Sequence, residues 1–171
     1  MKYSIVYNSP TGNTEMLANT IAKTLSQGQC MYFGGTEERT EERIEDSDIL
    51  FVGFWTDKGT CDIKTAEFLK SLKNWKIFLF GTAGYGGDEA YFKQILESVK
   101  KNIDISNHII GTYMCQGKMP LSVRHRYEKM IVDSTDSAKI QGMIDNFDRA
   151  LSHPDIDDCN RLKEQVEQVN F

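Results

Sequence analysis

Little in this sequence speaks for a metal, a disulfide or a membrane. His108, His125 and His153 are scattered, with no companion at ligand spacing, so no metal site is legible. The four cysteines, Cys30, Cys61, Cys115 and Cys159, form no C-x-x-C pair. With no signal peptide at the N-terminus they read as free thiols in a reducing cytoplasm. No run approaches the roughly 20 apolar residues of a membrane span, so a soluble protein is expected. Positive charge is in deficit, with 20 Lys and Arg against 25 Asp and Glu and a net charge of −5. That argues against nucleic acid or an anionic membrane as the main partner. Part of the acidity, "EERTEERIEDSD" at 37–48, reads as a solvated loop or helix face.

What is present is a strand–helix alternation in 171 residues, the size of one domain. Apolar runs recur at 2–7, 30–34, 48–54, 76–81 and 108–114, and those at 49–54 and 77–80 are apolar at every position. Continuous apolarity requires a strand covered on both faces, hence a parallel sheet. Between the runs, Leu17, Ile21 and Leu25 mark one helix, Ala66, Leu69 and Leu72 a second, and Tyr91, Ile95 and Val99 a third. The segment 35–47 has little apolar content beyond Ile44, which predicts a short or irregular connection. After the fifth strand the chain turns helical: at 122–133, along the stripe Ile140, Met143, Ile144, Phe147 and Leu151, and again after Pro154. One of these helices should close the sheet, and the remainder forms an appendage. Right-handed crossovers then give a doubly wound α/β sheet.

The stretch "YNSPTGNTEML", 7–17, lies where the first strand meets the first helix. In an open parallel sheet, ligands bind at the carboxyl ends of the strands. A helix start offers unpaired N–H groups and a positive dipole end, both suited to phosphate. Ser9, Thr11 and Thr14 add hydroxyls, and Gly12 lets the backbone approach closely. Walker A does not match; the nearest miss, Gly111 to Lys118, has one residue too many. G-x-G-x-x-G is absent after the first strand, and a receiver domain would need acidic residues where Asn8 and Ser9 stand. With no cation in the loop, a dianion must be held by neutral donors and the dipole. The alternative is an ordinary cap cluster, with Asn13 or Thr11 capping the helix.

"SPTGNT" resembles the T/S-x-T-G-x-T phosphate loop of the flavodoxin family, and the resemblance runs over roughly residues 1–150. It implies a flavodoxin-like, doubly wound, five-stranded parallel sheet of order 2-1-3-4-5, with helices on both faces. Residues 1–150 then form an FMN-binding domain, and 151–171 a helical C-terminal extension of that domain. The phosphate of FMN falls to Ser9, Pro10, Thr11, Gly12, Asn13 and Thr14. The isoalloxazine ring falls to the loops after the third and fourth strands. The first supplies Trp55, Thr56, Asp57, Lys58 and Gly59; the second supplies Thr82, Ala83, Gly84, Tyr85, Gly86 and Gly87.

Trp55 is either a flavin contact or a strand-end core residue. Tyr85 stands among glycines that strip away core packing, which favours a ligand contact. In flavodoxins a glycine-containing peptide beside flavin N5 flips on one-electron reduction, and Lys58–Gly59 or Gly59–Thr60 would supply it. Lys58 departs from the usual acidic surroundings of the flavin; it either stabilises the reduced anion or is a solvated loop lysine. Cys61 reads as a small buried thiol, with a role beside the flavin as the alternative. "CQGKMPLSVRHR", 115–126, follows the fifth strand as a cover over the cofactor, a partner contact, or an ordinary surface loop.

Three functions fit. One is an electron carrier between a reductase and a partner enzyme, with acidity steering it to a basic partner. A second is an FMN reductase of quinones or other small acceptors. The third is an interaction module that kept the fold without the cofactor. Flavodoxin-domain proteins with loops similar to "GFWTDKG" occur in anaerobic bacteria, and one type accompanies a tetrapyrrole reductase.

Overall fold

The computed structural model describes residues 1–36, 40–133 and 135–169. Six strands and seven helices alternate along them: β1 (Lys2–Tyr7), α1 (Asn13–Thr24), β2 (Gln29–Gly34), α2 (Thr40–Ile44), β3 (Ile49–Asp57) and β4 (Thr60–Cys61), then α3 (Ile63–Ser71), β5 (Lys76–Ala83), α4 (Glu89–Lys100), β6 (His108–Gln116), α5 (Leu121–Asp133), α6 (Ser137–Ala150) and α7 (Ile156–Glu167). Five strands are parallel, in the order β2-β1-β3-β5-β6. No helix among the described residues is long and apolar enough to cross a membrane.

The runs that are apolar at every position feed two cores. Ile49 and Phe51 of β3 point to one face, with Tyr3, Ile5, Phe78 and Phe80; Leu50, Val52 and Phe54 point to the other, with Val6, Ile77 and Leu79. Leu17, Ala18 and Ile21 of α1 cover the first face, and Phe68, Leu69, Ile95 and Val99 of α3 and α4 cover the second. Each fully buried side chain of this size contributes about 1.5–3 kcal/mol, so both layers are needed to hold the sheet. Two glycines let large rings cross between strands. A Cβ on Gly53 would stand 2.4 Å from Phe80 Cζ, and one on Gly81 2.4 Å from Phe54 Cζ.

The sheet departs from the five-stranded expectation in one detail. Thr56 pairs with Cys61 and Asp57 with Thr60, making β4 a short sixth strand antiparallel to β3. Lys58 (φ 49°) and Gly59 (φ 82°) turn this hairpin, both at the positive φ that a two-residue connection of matching twist requires. The weak crossover at 35–47 is short, with a five-residue α2 anchored by the buried Ile44. Of the acidic stretch, Glu42, Glu45, Asp46 and Asp48 are exposed, while Glu37, Glu38 and Arg39 lie outside the described residues.

The helix that closes the sheet is the last. Leu162 and Val166 of α7 are fully buried in the same core as α1. A capping box starts α7: Asp155 accepts from the Asp158 amide, and Asp158 from the Asp155 amide. The α5–α6 hairpin is thereby an insertion between β6 and α7, with its own small core of Tyr127, Ile140 and Ile144.

Candidate functional site

The turn from β1 into α1 is made by Gly12, at φ 79° and ψ −2°, with no side-chain cap. A Cβ there would meet nothing within 4 Å, so glycine is required by conformation and not by space. Neither Asn13 nor Thr11 caps the helix. Ser9 Oγ accepts the Glu15 amide at 3.0 Å, which leaves its proton to donate elsewhere. Thr14 is fully buried; its hydroxyl reaches the Phe54 carbonyl and Thr82 Oγ1, each at 3.2 Å, and so ties the first turn of α1 to the ends of β3 and β5. Asn8 donates to Thr36, Asp62 and Thr65, fixing the loop against the start of α3. Asn13 donates across to the Lys118 carbonyl at 2.8 Å.

These loops meet at a cavity of about 500 Å3 at the carboxyl end of the sheet. Pro10, Thr11 and Asn13 line it from the first loop, Trp55, Thr56 and Asp57 from the end of β3, and Thr82, Ala83 and Gly84 from the end of β5. The remaining expected site residues stand around it. Ser9 faces a neighbouring cleft shared with Trp55 and Asp57, Gly12 sits at the edge of the α1–α7 groove, and Thr14 lies beneath the floor. Lys58 and Gly59 form the hairpin tip, and Tyr85 is 43% exposed and edge-on to Tyr91; none of the three lines the cavity, nor do Gly86 and Gly87. Larger grooves, of about 670 Å3 between α1 and α7, about 840 Å3 beside α4 and about 740 Å3 beside Gly86 and Gly87, carry no residue of the first ring loop. Convergence of the strand ends makes the smaller cavity the candidate site.

The fourth wall is the insertion. Gly117, Lys118, Met119 and Pro120, then Val123, Arg126 and Tyr127 of α5, close the side opposite the strand ends. The insertion is fastened to the second ring loop. The Gly84 carbonyl accepts from Gln116 Nε2 and from Asn146 Nδ2, each at 3.0 Å, and Gln116 also donates to Asn146 Oδ1 at 3.1 Å. Met119 lies so close over Gly84 that a Cβ there would stand 2.5 Å from its sulfur. Gly117 likewise leaves room for Asn13, whose Nδ2 would be 2.5 Å from an added Cβ. Residues 115–126 supply part of this wall, and Tyr127 and Asn146 lie beyond that stretch. The i, i+4 spacing of Val123 and Tyr127 was a signal for the first, and a polar residue inside the stripe Ile140–Phe147 a signal for the second.

The cavity suits the FMN that the resemblance implies. Two buried side-chain oxygens without a protein partner, Asn13 Oδ1 and Thr56 Oγ1, both belong to residues on its wall. Buried polar atoms are normally paired, so these two would gain from a polar ligand that reached them. The start of α1 with Thr11 would hold the phosphate, Asn13, Thr56 and Asp57 the ribityl chain, and Trp55, Tyr127 and Ala83–Gly84 the ring. FMN supplies storage for one or two electrons there. Cys61, 4% exposed, lies on β4 off the cavity, and burial pushes its thiol up, so it is no thiolate at neutral pH. His153 and Asp155 converge with Asp158, but the cap of α7 and the Arg161–Asp158 ion pair account for that cluster.

A family model for the flavodoxin domain matches residues 4–167. The flavodoxin-like domain-containing protein BilS of Clostridium symbiosum is 39% identical over 168 residues, covering 91% of this chain and 88% of that one. BilS of Clostridioides difficile is 34% identical over 157 residues, with the same coverage. Among solved structures, the Streptococcus pneumonia TIGR4 flavodoxin superposes at a TM-score of 0.59, with 16% identity over 98% of this chain and 97% of that one. A short-chain flavodoxin associated with a PDU bacterial microcompartment superposes at 0.56, also with 16% identity, over 99% and 96%. With the sheet order in place and the family model matched over most of its length, this chain belongs to the flavodoxin family, and FMN is its cofactor.

Proposed function

We propose that the protein is an FMN electron carrier, taking electrons from a reductase and passing them to a partner enzyme. The observation that carries this reading is the α5 wall. Hydride transfer needs reacting atoms about 3–3.5 Å apart, so a nicotinamide would have to lie flat on the flavin. Val123 and Tyr127 line one wall of the cavity, which supports a ring covered against that approach. Electron transfer through a ring edge needs no such stacking. The acidic balance of the chain, a net charge of −5, supports steering toward a basic partner. The similarity of "GFWTDKG" to flavodoxin-domain proteins that accompany a tetrapyrrole reductase supports an acceptor of that class. Four free thiols support a reducing compartment, the cytoplasm. Ring contacts from Lys58, Gly59, Tyr85, Gly86 and Gly87 belong to the same proposal and need those loops to lean inward.

Anaerobic reductive titration of the purified protein, paired with stopped-flow mixing with NADH or NADPH, tests it. The carrier is yellow, takes up two electrons per FMN, and is not reduced rapidly by either nucleotide alone. Rapid reduction by the nucleotide would establish the reductase instead. A colourless protein that FMN does not restore would establish the cofactor-free module.

A further inference from the structure

The phosphate loop brings no cation to the cofactor, yet the cavity is not without positive charge. Both cations on its wall, Lys118 and Arg126, come from the chain after β6, and they face a single wall carboxylate, Asp57. Within α5 the two arginines differ. Arg124 is held by Glu128 and Asp148 and lies over the Phe147 ring. Arg126 takes part in no ion pair among the described residues; its guanidinium rests over the Tyr127 ring, 5.7 Å from the centroid. Tyr127 is 6% exposed and on the cavity wall, so the contact holds the cation beside that wall. Lys118 stands at the other end, its carbonyl bonded to Asn13 of the phosphate loop.

We propose that Arg126 is a positioning cation for the reduced flavin. Neutral oxidised isoalloxazine gains two electrons from the donor and one proton from solvent, and so becomes an anion. A guanidinium beside it, although exposed to solvent, lowers the free energy of that anion more than of the neutral ring. The inserted hairpin thus changes which redox state the protein favours, toward full two-electron reduction. The inference rests on the FMN reading of the cavity and deepens it.

The test is a pair of measurements on apo-protein reconstituted with FMN: dissociation constants for oxidised FMN and riboflavin, and both midpoint potentials. R126Q is expected to weaken binding of the fully reduced cofactor about tenfold more than that of the oxidised and half-reduced forms, which lowers the second, one-electron potential by about 59 mV. R126K should keep most of the wild-type potential, and K129Q, on the same helix but off the cavity, should leave it unchanged. R126E should deepen the shift seen in R126Q. An unchanged second potential in both R126Q and R126E overturns the proposal. So does a loss confined to FMN over riboflavin and equal for both redox states, because the cation would then act on the phosphate. Failure of the wild-type protein to bind FMN would instead sink the functional reading on which this rests.

Discussion

Removing the Asn146 side chain should loosen the insertion from the ring loop by a calculable amount. Asn146 is 2% exposed and serves two partners, donating to the Gly84 carbonyl and accepting from Gln116 Nε2. In N146A the Gly84 carbonyl keeps its bond from Gln116, but one Gln116 N–H is left buried without an acceptor. An unsatisfied buried donor costs about 1–3 kcal/mol, so N146A should lose about 2 kcal/mol of stability. If that loss falls on docking of the hairpin, FMN affinity drops by up to about thirty-fold, since 1.4 kcal/mol is tenfold. N146D should be worse at neutral pH, because it sets a buried carboxylate against the Gly84 carbonyl. Burial raises the folded pKa of that carboxyl above the unfolded value of about 3.9, so the penalty grows as pH rises through that value and fades in acid. Urea denaturation and fluorescence titration of the apo-protein with FMN read both effects. N146A within about 0.5 kcal/mol of wild type, with undiminished FMN binding, would refute the tether.

Three further outcomes follow from single residues. G81A forces a methyl to within 2.4 Å of Phe54 Cζ, a ring with no exposure, and should cost about 3 kcal/mol, lowering Tm by about 6 to 10 °C; a smaller drop than G142A, where an added Cβ meets nothing within 4 Å, would be contrary. The chain has two tryptophans, Trp55 on the cavity and Trp75 against the core, so FMN should quench tryptophan emission in wild type and scarcely in W55F; equal quenching in both would place the ring elsewhere. Cys61 should resist alkylation at neutral pH while the exposed Cys30 reacts. Because burial raises the Cys61 pKa in the folded state, its contribution to stability is complete below the ordinary thiol value of 9.0 and falls as pH rises beyond it. Fast labelling of Cys61 at pH 7 would contradict that ordering.

The sheet was legible because burial on both faces leaves a direct mark on composition. Leu50, Val52 and Phe54 alternate with Ile49 and Phe51, and since both sets are buried in different cores, the run contains no polar residue to interrupt it. Helix faces leave a weaker mark. The stripe on α6 and the stripe on α7 have the same period, and period reports that a face is buried, not what buries it. Leu162 and Val166 meet the main core, whereas Ile140 and Ile144 meet Tyr127 within the insertion, and only tertiary structure separates the two. The short β4 left no signal, because its turn is Lys58–Gly59, without the asparagine or aspartate that usually takes the first positive φ.

At the site, the parts carried by one contiguous loop were legible and the parts assembled across the fold were not. Gly12 announced itself through a turn only glycine makes cheaply, and the missing cation in 8–14 set aside nucleotide triphosphates. The cation belongs to the cavity all the same, delivered from more than one hundred residues away by Arg126 and Lys118. A family motif describes the strand ends, which every member must build alike to hold the phosphate. The remaining wall of the cavity is set by the insertion, and the bonds that hold it there run from Asn146 and Gln116 to one carbonyl. The chemistry that distinguishes this chain from other carriers of its fold is therefore expected to follow α5 and α6. Grafting neutral residues at Lys118 and Arg126 tests that directly. The double variant should still bind oxidised FMN on its neutral cradle, yet lose the preference for the fully reduced state.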